Sequence, residues 1–523
     1  GVINGSNKNR TTGRLDLSQK SFDNKLNITM GMSASIEKNE YINYGSNEPT
    51  DALFQSFQRL PTDPIYNADG SYFETTRVFN YYNPAASLNQ IQNERDAKKY
   101  TGNLGLDYTI IDGLNAAINL SYLRNDSEST YFEPKYSNTI GSQSTLIRTG
   151  YGKRSYENWA QGMLEATLTY KKTFNDVHNL TALAGYSYRS QNWDGFLAEG
   201  REPISNSLGA DKLQNFEDVQ LGDIESNRGE RTDVGVFARA MYDYNSTYYL
   251  TAMIRRDGSS VFGKNNQWGW FPSVQVAWNM ANESFIADNT KLINLLKLRA
   301  SWGISGNSNI DSYLSYLRVG PSGTSIDPET GDPIVNLDYY NNGNPDLKWD
   351  ENQEINLGID FGVLDNRISG SIEYYSKQIS EMLSVYNVPT ETNYAGTVYY
   401  NGGEMKNTGY EATILGKVIN SELFKWNSSF TFSKNNMEVV SLDGGRYDLD
   451  YRDVGYISAP GIVGVATQRM LPKHDLGTFY GFEYVGVSEE GKWLINGNDN
   501  KTYYLDDVSQ SDAHKKVIGN ALP

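Results

Sequence analysis

Short and long connections alternate along this chain, and they join segments in which apolar residues recur with a period of two. Tight turns are expected near residues 20–25, 112–113, 173–177, 245–246, 364–366 and 420–423. Long polar stretches lie between them, at about 37–98, 124–156, 190–231, 305–350, 377–409 and 435–477. Both ends of a soluble β-sandwich meet the same solvent, so nothing there sorts loops by length. The alternation therefore restricts the fold more than any single segment does.

The segments themselves have the pattern of strands that are apolar on one face only. Before the turn at 364–366, Leu357 and Ile359 share one face, while Asn356 and Gly358 share the other. This pattern fits a strand with lipid on one side and water on the other, but the period alone also fits a soluble sheet. In the membrane case, charged substitutions at Leu357 or Ile359 should impair assembly, and those at Asn356 or Gly358 should matter less.

A transmembrane β-barrel accounts for both observations. Barrels have short periplasmic turns, long extracellular loops and aromatic girdles, and their wall strands need apolar residues only at alternate positions. The 38 tyrosines and 9 tryptophans fit such girdles. A soluble β-repeat protein would need a motif of fixed period, which we do not find. We predict an all-β fold, a large antiparallel transmembrane β-barrel in the outer membrane, with the long stretches as extracellular loops.

The strand count indicates part of a barrel. We count roughly fifteen strands, whereas a bacterial barrel has an even number and closes on itself. An open edge would leave backbone groups unpaired in lipid, which is not tolerated. Further strands are therefore expected beyond these 523 residues. One irregular connection, 280–296, is expected to contain a brief helix.

Composition and motifs argue against several other functions. The net charge of −17 disfavours a nucleic-acid binder, which needs basic surface to neutralise phosphates. With no cysteine there is no disulfide, thiolate metal site or cysteine nucleophile. The three histidines, His178, His474 and His514, form no motif, and neither a phosphate-binding loop nor a zinc-binding H-E-x-x-H pair occurs. We expect neither an enzyme nor a bound cofactor.

Charged residues on the polar strand faces are predicted to face the barrel lumen, where contact with water keeps the free-energy cost of a charge low. They include Glu165, Arg239, Glu354, Asp360 and Glu373. A further acidic group lies in the 305–350 stretch.

That group is Asp327, Glu329 and Asp332, whose oxygen ligands at close spacing are a candidate calcium site. Their spacing does not match an EF-hand, so a plain acidic turn is the favoured alternative. We therefore predict no metal centre with this motif alone.

Aromatic residues in the long stretches are the candidates for substrate contact. An aromatic ring offers a flat apolar face against which a ring-shaped ligand can stack. Trp193, Tyr399 and Tyr400 lie in or near long stretches and are predicted to bind substrate. The alternative is that an aromatic residue at a strand end belongs to an interfacial girdle.

Several segments resemble the SusC/RagA family of TonB-dependent outer-membrane transporters, and they occur in the family's order. They are FPSVQVAWNM (271–280), LKLRASWGISGNSNI (296–310), NPDLKWDENQEINLGIDFGVLDNRISGSIEYYSK (344–377), NTGYEATI (407–414), FYGFEYVGV (479–487) and KVIGNALP (516–523). The ordered set covers about the second half of the chain. The first half fits mainly by its rhythm of strands and loops.

The resemblance implies a barrel of ~22 strands filled by an N-terminal plug, with the plug and the last strands outside this chain. It implies import of an oligosaccharide or peptide, energised by TonB through an N-terminal box, and a SusD-like lipoprotein over the long loops. A siderophore or cobalamin receptor would share the barrel but not this ordered set of motifs. A surface adhesin that transports nothing is the alternative of a different class.

Overall fold

The computed structural model describes residues 3–42, 52–73, 83–135, 149–220, 222–447, 449–457, 464–507 and 514–520. Most of them lie in antiparallel strands. The strands are β1 Asn7–Ser21, β2 Leu26–Glu40, β3 Gln92–Ile111, β4 Leu114–Glu133, β5 Tyr151–Phe174, β6 His178–Pro203, β7 Phe216–Asp218, β8 Ile224–Tyr244, β9 Tyr248–Ser259, β10 Trp268–Asn279, β11 Ile293–Asn307, β12 Arg318–Ile326, β13 Pro333–Asn341, β14 Asp350–Val363, β15 Ile368–Asn387, β16 Thr397–Asn420, β17 Lys425–Ser441, β18 Arg452–Ile457, β19 Val465–Met470, β20 His474–Asp475, β21 Thr478–Gly481, β22 Glu483–Val487, β23 Trp493–Asn496, β24 Thr502–Tyr504 and β25 Lys516–Asn520.

Helices are few and short in the described part of the chain. They are α1 Ala52–Gln58, α2 Pro84–Gln90 and α3 Ser284–Ala287, with 3₁₀ segments Asn206–Asn215, Met280–Asn282 and Leu505–Asp507. The brief helix predicted within 280–296 is confirmed by α3 and the 3₁₀ turn before it. Among the described residues, no helix is both long and apolar enough to cross a membrane.

The chain divides into two compact units. Unit 1 consists of residues 1–167, 186–234 and 319–339, and unit 2 of residues 168–185, 235–318 and 340–523. In unit 1, β1 to β4 are sheet neighbours in chain order, and the unit also contains parts of β5, β6 and β8. Each strand pairs antiparallel with the next, both where a short turn connects them, as between β1 and β2, and where a long connection does, as between β2 and β3.

In unit 2, β9, β10, β11, β14, β15, β16 and β17 follow one another in the sheet. Two smaller sheets, β18-β19-β21-β25 and β22-β23-β24, complete the unit. The ladder between β14 and β15 is regular and sets Leu357 opposite Tyr374 and Ile359 opposite Ile372. One face of this strand pair is therefore mainly apolar and the other mainly polar.

The predicted short turns are confirmed, and their residues explain why they are tight. Asp23 and Asn24, Asn175 and Asp176, Asn245 and Ser246, and Asp365 and Asn366 all have positive φ. Asparagine and aspartate tolerate this left-handed region better than other residues with a side chain. A connection of three or four residues then reverses the strand without opening the ladder.

The long strands extend further into the polar stretches than the sequence pattern predicts. β6 continues to Pro203 and β16 begins at Thr397, so the irregular part of 377–409 is only residues 388–396. The polar stretches are therefore not irregular throughout. Alternation ends where one face stops being apolar, but backbone hydrogen bonds continue a ladder without apolar side chains.

Buried apolar residues collect beyond the alternating part of the strands, in three small clusters. The first is centred on Val261, Phe262, Leu314 and Leu347 in unit 2. The second, with Phe132, Ala210 and Phe216, lies in unit 1, and the third, with Met405, Val439 and Leu442, lies in unit 2. The alternating strand segments carry exposed apolar residues instead, including Leu15, Leu17, Leu120, Val236, Leu357 and Ile372.

Candidate functional site

One face of β11, β14 and β15 carries a charged network. The Arg299 guanidinium donates to Asp360 at 3.3 Å and pairs with Glu373. The Asn356 side-chain amide donates to the second Glu373 oxygen at 3.3 Å. Since each member is only partly exposed and has a partner on a neighbouring strand, the network ties the three strands together on this face.

The same network changes the expectation for Gly358. The Arg299 guanidinium lies over this glycine, and a Cβ there would stand 2.7 Å from the guanidinium carbon. A side chain at position 358 would therefore displace Arg299, so Gly358 is not the tolerant position that the alternation suggested. Asn356 remains the suitable position for comparison with Leu357.

The remaining charged candidates lie on separate strands. Glu165 and Arg239 are exposed on β5 and β8, and Glu354 is exposed on β14 opposite Lys377. Arg239 lies three residues from the exposed Val236, and Glu354 lies one residue from the exposed Ile355, so alternation places each charged side chain on the face opposite that apolar residue. Glu165 lies three residues from the exposed Leu168 but two from the exposed Met163, so alternation alone does not assign it a face.

Three tyrosines from separate segments pack together in unit 2, and we call them the tyrosine cluster: Tyr386, Tyr400 and Tyr447. The Tyr386 and Tyr447 rings stack with centroids 5.0 Å apart, and Tyr400 meets Tyr447 edge-on at 5.7 Å. The buried Tyr386 donates its hydroxyl to the Leu442 carbonyl at 2.6 Å. Tyr386 therefore anchors the cluster, while Tyr400 and Tyr447 remain half-buried.

An exposed arginine covers this cluster. The Arg446 guanidinium carbon lies 4.5 Å from the Tyr400 ring centroid and 5.7 Å from that of Tyr447, within cation–π range. The arrangement offers a flat aromatic face beside guanidinium donors, which suits sugar hydroxyls and peptide carbonyls equally.

The loop that carries Arg446 is shaped by Asp443. The Asp443 carboxylate accepts backbone N–H bonds from Gly445, Tyr447 and Leu449 at 2.8–3.0 Å. Burial alone would raise the pKa of this carboxyl, but the three backbone donors hold its pKa below the ordinary value. The ionised aspartate therefore fixes the loop and positions Arg446 and Tyr447 over Tyr400.

Tyr399 and Tyr400 have different surroundings although they are neighbours. The Tyr399 ring packs on the cluster of Val261, Phe262, Leu314 and Leu347, and its carbonyl accepts from Asn344 at 2.8 Å. Tyr399 therefore contributes to packing, whereas Tyr400 faces the accessible tyrosine cluster.

Trp193 lies within β6 and not in an irregular loop. Its indole covers Gly229 of β8, where a Cβ would stand 2.2 Å from the ring. The structure thus gives Trp193 a cross-strand packing contact in unit 1, apart from the tyrosine cluster of unit 2.

The acidic group at 327–332 forms a turn between β12 and β13. The Asp327 carboxylate accepts from the Glu329 backbone N–H at 2.8 Å, and the Asp327 backbone pairs with Asp332. Across the described residues, no group of three or more His, Cys, Asp or Glu side chains could hold a metal ion. The geometry thus favours the plain turn.

Sequence reasoning missed Tyr386, Tyr447 and Arg446. Tyr386 and Tyr447 are separated by 61 residues (447 − 386) and meet only through folding. The one local signal is the stretch DGGRYD at 443–448, where turn residues place an arginine and a tyrosine directly after a strand.

Comparison with known proteins identifies the family of this fold. Residues 37–518 match the family model described as TonB dependent receptor-like, beta-barrel. The chain is 30% identical over 541 residues to TonB-dependent receptor P3 of Formosa agariphila. It is 26% identical over 567 residues to TonB-dependent receptor SusC of Bacteroides thetaiotaomicron. In both comparisons all of this chain is covered and 52% of the relative, so it spans about half the length of these relatives.

Solved structures agree on the fold. A chain in the structure of the RagAB peptide transporter matches 98% of this chain with a TM-score of 0.81 at 21% identity, and 54% of that chain is covered. The ferripyoverdine receptor of the Pseudomonas aeruginosa outer membrane matches 96% of this chain with a TM-score of 0.51 at 13% identity, covering 58% of that chain. The resemblance to SusC and RagA is confirmed, and the chain belongs to the TonB-dependent receptor β-barrel family.

Proposed function

We propose that this chain forms the barrel wall of a transporter that imports an oligosaccharide or a peptide across the bacterial outer membrane. The observation that carries the proposal is the two-faced strand wall, apolar on one side and charged on the other, in a chain of this family. Relatives at 26–30% identity are TonB-dependent receptors, SusC among them, and RagAB is a peptide transporter.

In this proposal the charged faces line the lumen. Arg299, Asp360 and Glu373 would meet water and the plug there, together with Glu165, Arg239 and Glu354. Supporting this orientation, Ile355, Leu357 and Ile359 on the opposite face of β14 are 44%, 48% and 42% exposed. Exposed aliphatic side chains at this density fit lipid and not water.

The proposal assigns the long connections to the cell surface. A SusD-like lipoprotein would cover them, and TonB would act through a box in a segment outside this chain. The tyrosine cluster with Arg446 is the proposed substrate contact on this side. Trp193 is a weaker candidate because its indole already packs on Gly229.

Two other functions are less well supported. A siderophore or cobalamin receptor would share the barrel, but the ferripyoverdine receptor matches with a TM-score of 0.51 against 0.81 for RagAB. A non-transporting adhesin would not need an energy-coupled family fold. The family is one of receptors and transporters, and we propose no enzymatic activity.

The experiment is an uptake assay in the native host with the gene deleted and then restored. We expect the deletion to abolish accumulation of labelled oligosaccharides or of labelled peptides, and the intact gene to restore it. Loss of ferric siderophore uptake with normal accumulation of both nutrient classes would support the siderophore alternative. Normal uptake of all three would contradict the transport proposal.

A single substitution tests the substrate contact. Tyr400→Ala removes the ring beneath Arg446, and we expect uptake to fall about tenfold, the effect of losing one stacked contact. Tyr394→Ala is the matched control, because Tyr394 is 65% exposed in the neighbouring connection. Equal uptake by the two variants at equal surface levels would exclude the cluster as a substrate contact.

A further inference from the structure

An open cavity of about 580 Å³ lies within unit 1, on the wall formed by β4, β5 and β6. Its lining includes Glu128 of β4, Arg154 and Tyr156 of β5, and Phe196 of β6. Leu213 and Asp211 of the 206–215 segment cover it. The cavity is separate from the tyrosine cluster, which belongs to unit 2.

The cavity opens on the apolar side of the wall. Ile118, Leu120 and Tyr122 of β4 are 40%, 39% and 50% exposed, and Glu128 lies an even number of residues further along an unbroken ladder. Glu128 therefore shares their face. Six residues of strand separate it from Tyr122, which is about 20 Å. The cavity thus lies on the same face as the apolar band but beyond it along β4.

Packing contacts hold the 206–215 segment in place beside the cavity. Phe216, next to the 206–215 segment, packs with Phe132 and Ala210. Phe216 lies over two strand glycines, since a Cβ at Gly152 would stand 2.3 Å from its ring and a Cβ at Gly200 would stand 2.8 Å from its Cβ atom. Because these two glycines have no side chains, they leave a notch into which Phe216 fits, and this holds the adjoining 206–215 segment against the strands. Such a notch would be unnecessary if the segment were a loosely held loop.

The hydrogen bonds of the cavity wall are also in place before any ligand binds. Arg154 pairs with Glu128. Asp126 accepts from Arg124 at 2.9 Å and from the Tyr156 hydroxyl at 3.1 Å. These contacts hold the Tyr156 ring against Phe196, with centroids 6.0 Å apart and planes 29° from parallel. Binding here would cost little reorganisation.

Aromatic rings beside an ion pair indicate the chemistry of the ligand. Phe196 is 54% exposed, and it offers a flat apolar face. The Arg154–Glu128 pair has side chains 35% and 52% exposed, so unused donors and acceptors remain for hydroxyl groups. Glu128 and Asp211 outnumber Arg154, which disfavours an isolated phosphate. A sugar ring presents an apolar C–H face and a rim of hydroxyls, which matches this surface.

We propose that this cavity binds a saccharide at the outer surface of the barrel wall. The sugar could come from a glycolipid of the surrounding leaflet or from a free oligosaccharide, since both present the same ring chemistry. The site is independent of the import pathway proposed above. Binding at this site would attach the outer wall to surface glycans and would not transport those glycans.

The test measures binding to the full-length protein purified from outer membranes in detergent. The probes are rough-type lipopolysaccharide, the lipid-free oligosaccharide released from it, and maltohexaose. Phe196→Ala and Glu128→Gln are the variants, with Phe424→Ala as the matched control. Phe424 is 58% exposed and lies at a short turn in unit 2. Heat-modifiable migration on gels verifies that each variant is folded.

We expect both cavity variants to bind at least one probe about tenfold more weakly, and the control to bind like the native protein. Weakened binding of intact lipopolysaccharide and its oligosaccharide identifies the leaflet glycolipid as the source. Weakened binding of maltohexaose alone identifies a free oligosaccharide. If no probe binds, or if folded Phe196→Ala binds every probe as tightly as the control, the proposal is overturned.

Discussion

Two regions of unit 2 are stabilised in opposite ways. The wall region, residues 355–363 with 368–376, exposes aliphatic side chains on one face and ties charged side chains together on the other. The segment NNGNPDLKW at 341–349, which we call the clasp, instead buries Leu347 completely. In the wall the backbone ladder holds the structure, whereas in the clasp side-chain amides and buried rings do so.

The asparagines of the clasp show how an irregular segment can be rigid. Asn342 donates to the carbonyls of Ala395 and Thr397 at 2.6 and 2.8 Å and accepts from the Ala395 N–H at 3.1 Å. Asn401 binds both backbone groups of Lys348. Backbone groups that lack a ladder partner are thus satisfied by side chains. The wall is therefore specified by a repeating alternation of apolar and polar residues, whereas the clasp is specified by individual residues.

The largest loss of stability is expected for a charged substitution in the wall region. Leu357→Arg places a charge on the apolar face, and we expect a loss of about 2–4 kcal/mol in folding stability in bilayers. Asn356→Arg is the matched control on the opposite face, beside the Glu373 carboxylate. Urea unfolding in lipid vesicles, followed by heat-modifiable gel migration, measures both variants. Equal losses for the two would remove the distinction between the faces.

A smaller effect is expected in the clasp. Asn342→Ala removes the side-chain partner of the Ala395 carbonyl and N–H and takes one of two donors from the Thr397 carbonyl, which should cost about 1–3 kcal/mol. The matched control is Asn393→Ala, because Asn393 bonds only within its own connection, to Pro389 and Thr392, among the hydrogen bonds described. The same unfolding assay applies. If Asn342→Ala behaves like the control, side-chain amides do not hold the clasp.

This contrast also explains what the sequence could predict. Strand faces and short turns followed from residues such as Leu357, Ile359 and the Asp365–Asn366 turn, because alternation and turn chemistry are local. The barrel class followed from the alternation of short and long connections along the whole chain. The extent of β6 and β16 did not follow, because a ladder continues where alternation has ended. The clasp was recognised only as part of a resembling motif, since its hydrogen bonds join residues about fifty positions apart.

The candidate site was less accessible to sequence reasoning. Tyr400 was predicted as a contact, but its partners Tyr386 and Tyr447 come from other segments and carry no periodic signal. Tyr399, its neighbour, packs into a buried cluster instead. A tyrosine in a strand has the same sequence appearance in either role. The packing role and the contact role differ in which face of the strand the clasp covers, and this is visible only in the folded chain.

The proposed transport function requires that the long connections and the short turns lie on opposite sides of the outer membrane. These 523 residues contain no cysteine, so a single cysteine placed among them is labelled at a known position, and the protein without an added cysteine serves as the blank. Glu391→Cys lies in the exposed connection after β15, and Leu423→Cys replaces a side chain that is 100% exposed in a short turn. With a membrane-impermeant maleimide on intact cells, only Glu391→Cys should react, and both should react after lysis. Labelling of Leu423→Cys on intact cells, with Glu391→Cys protected, would contradict the account.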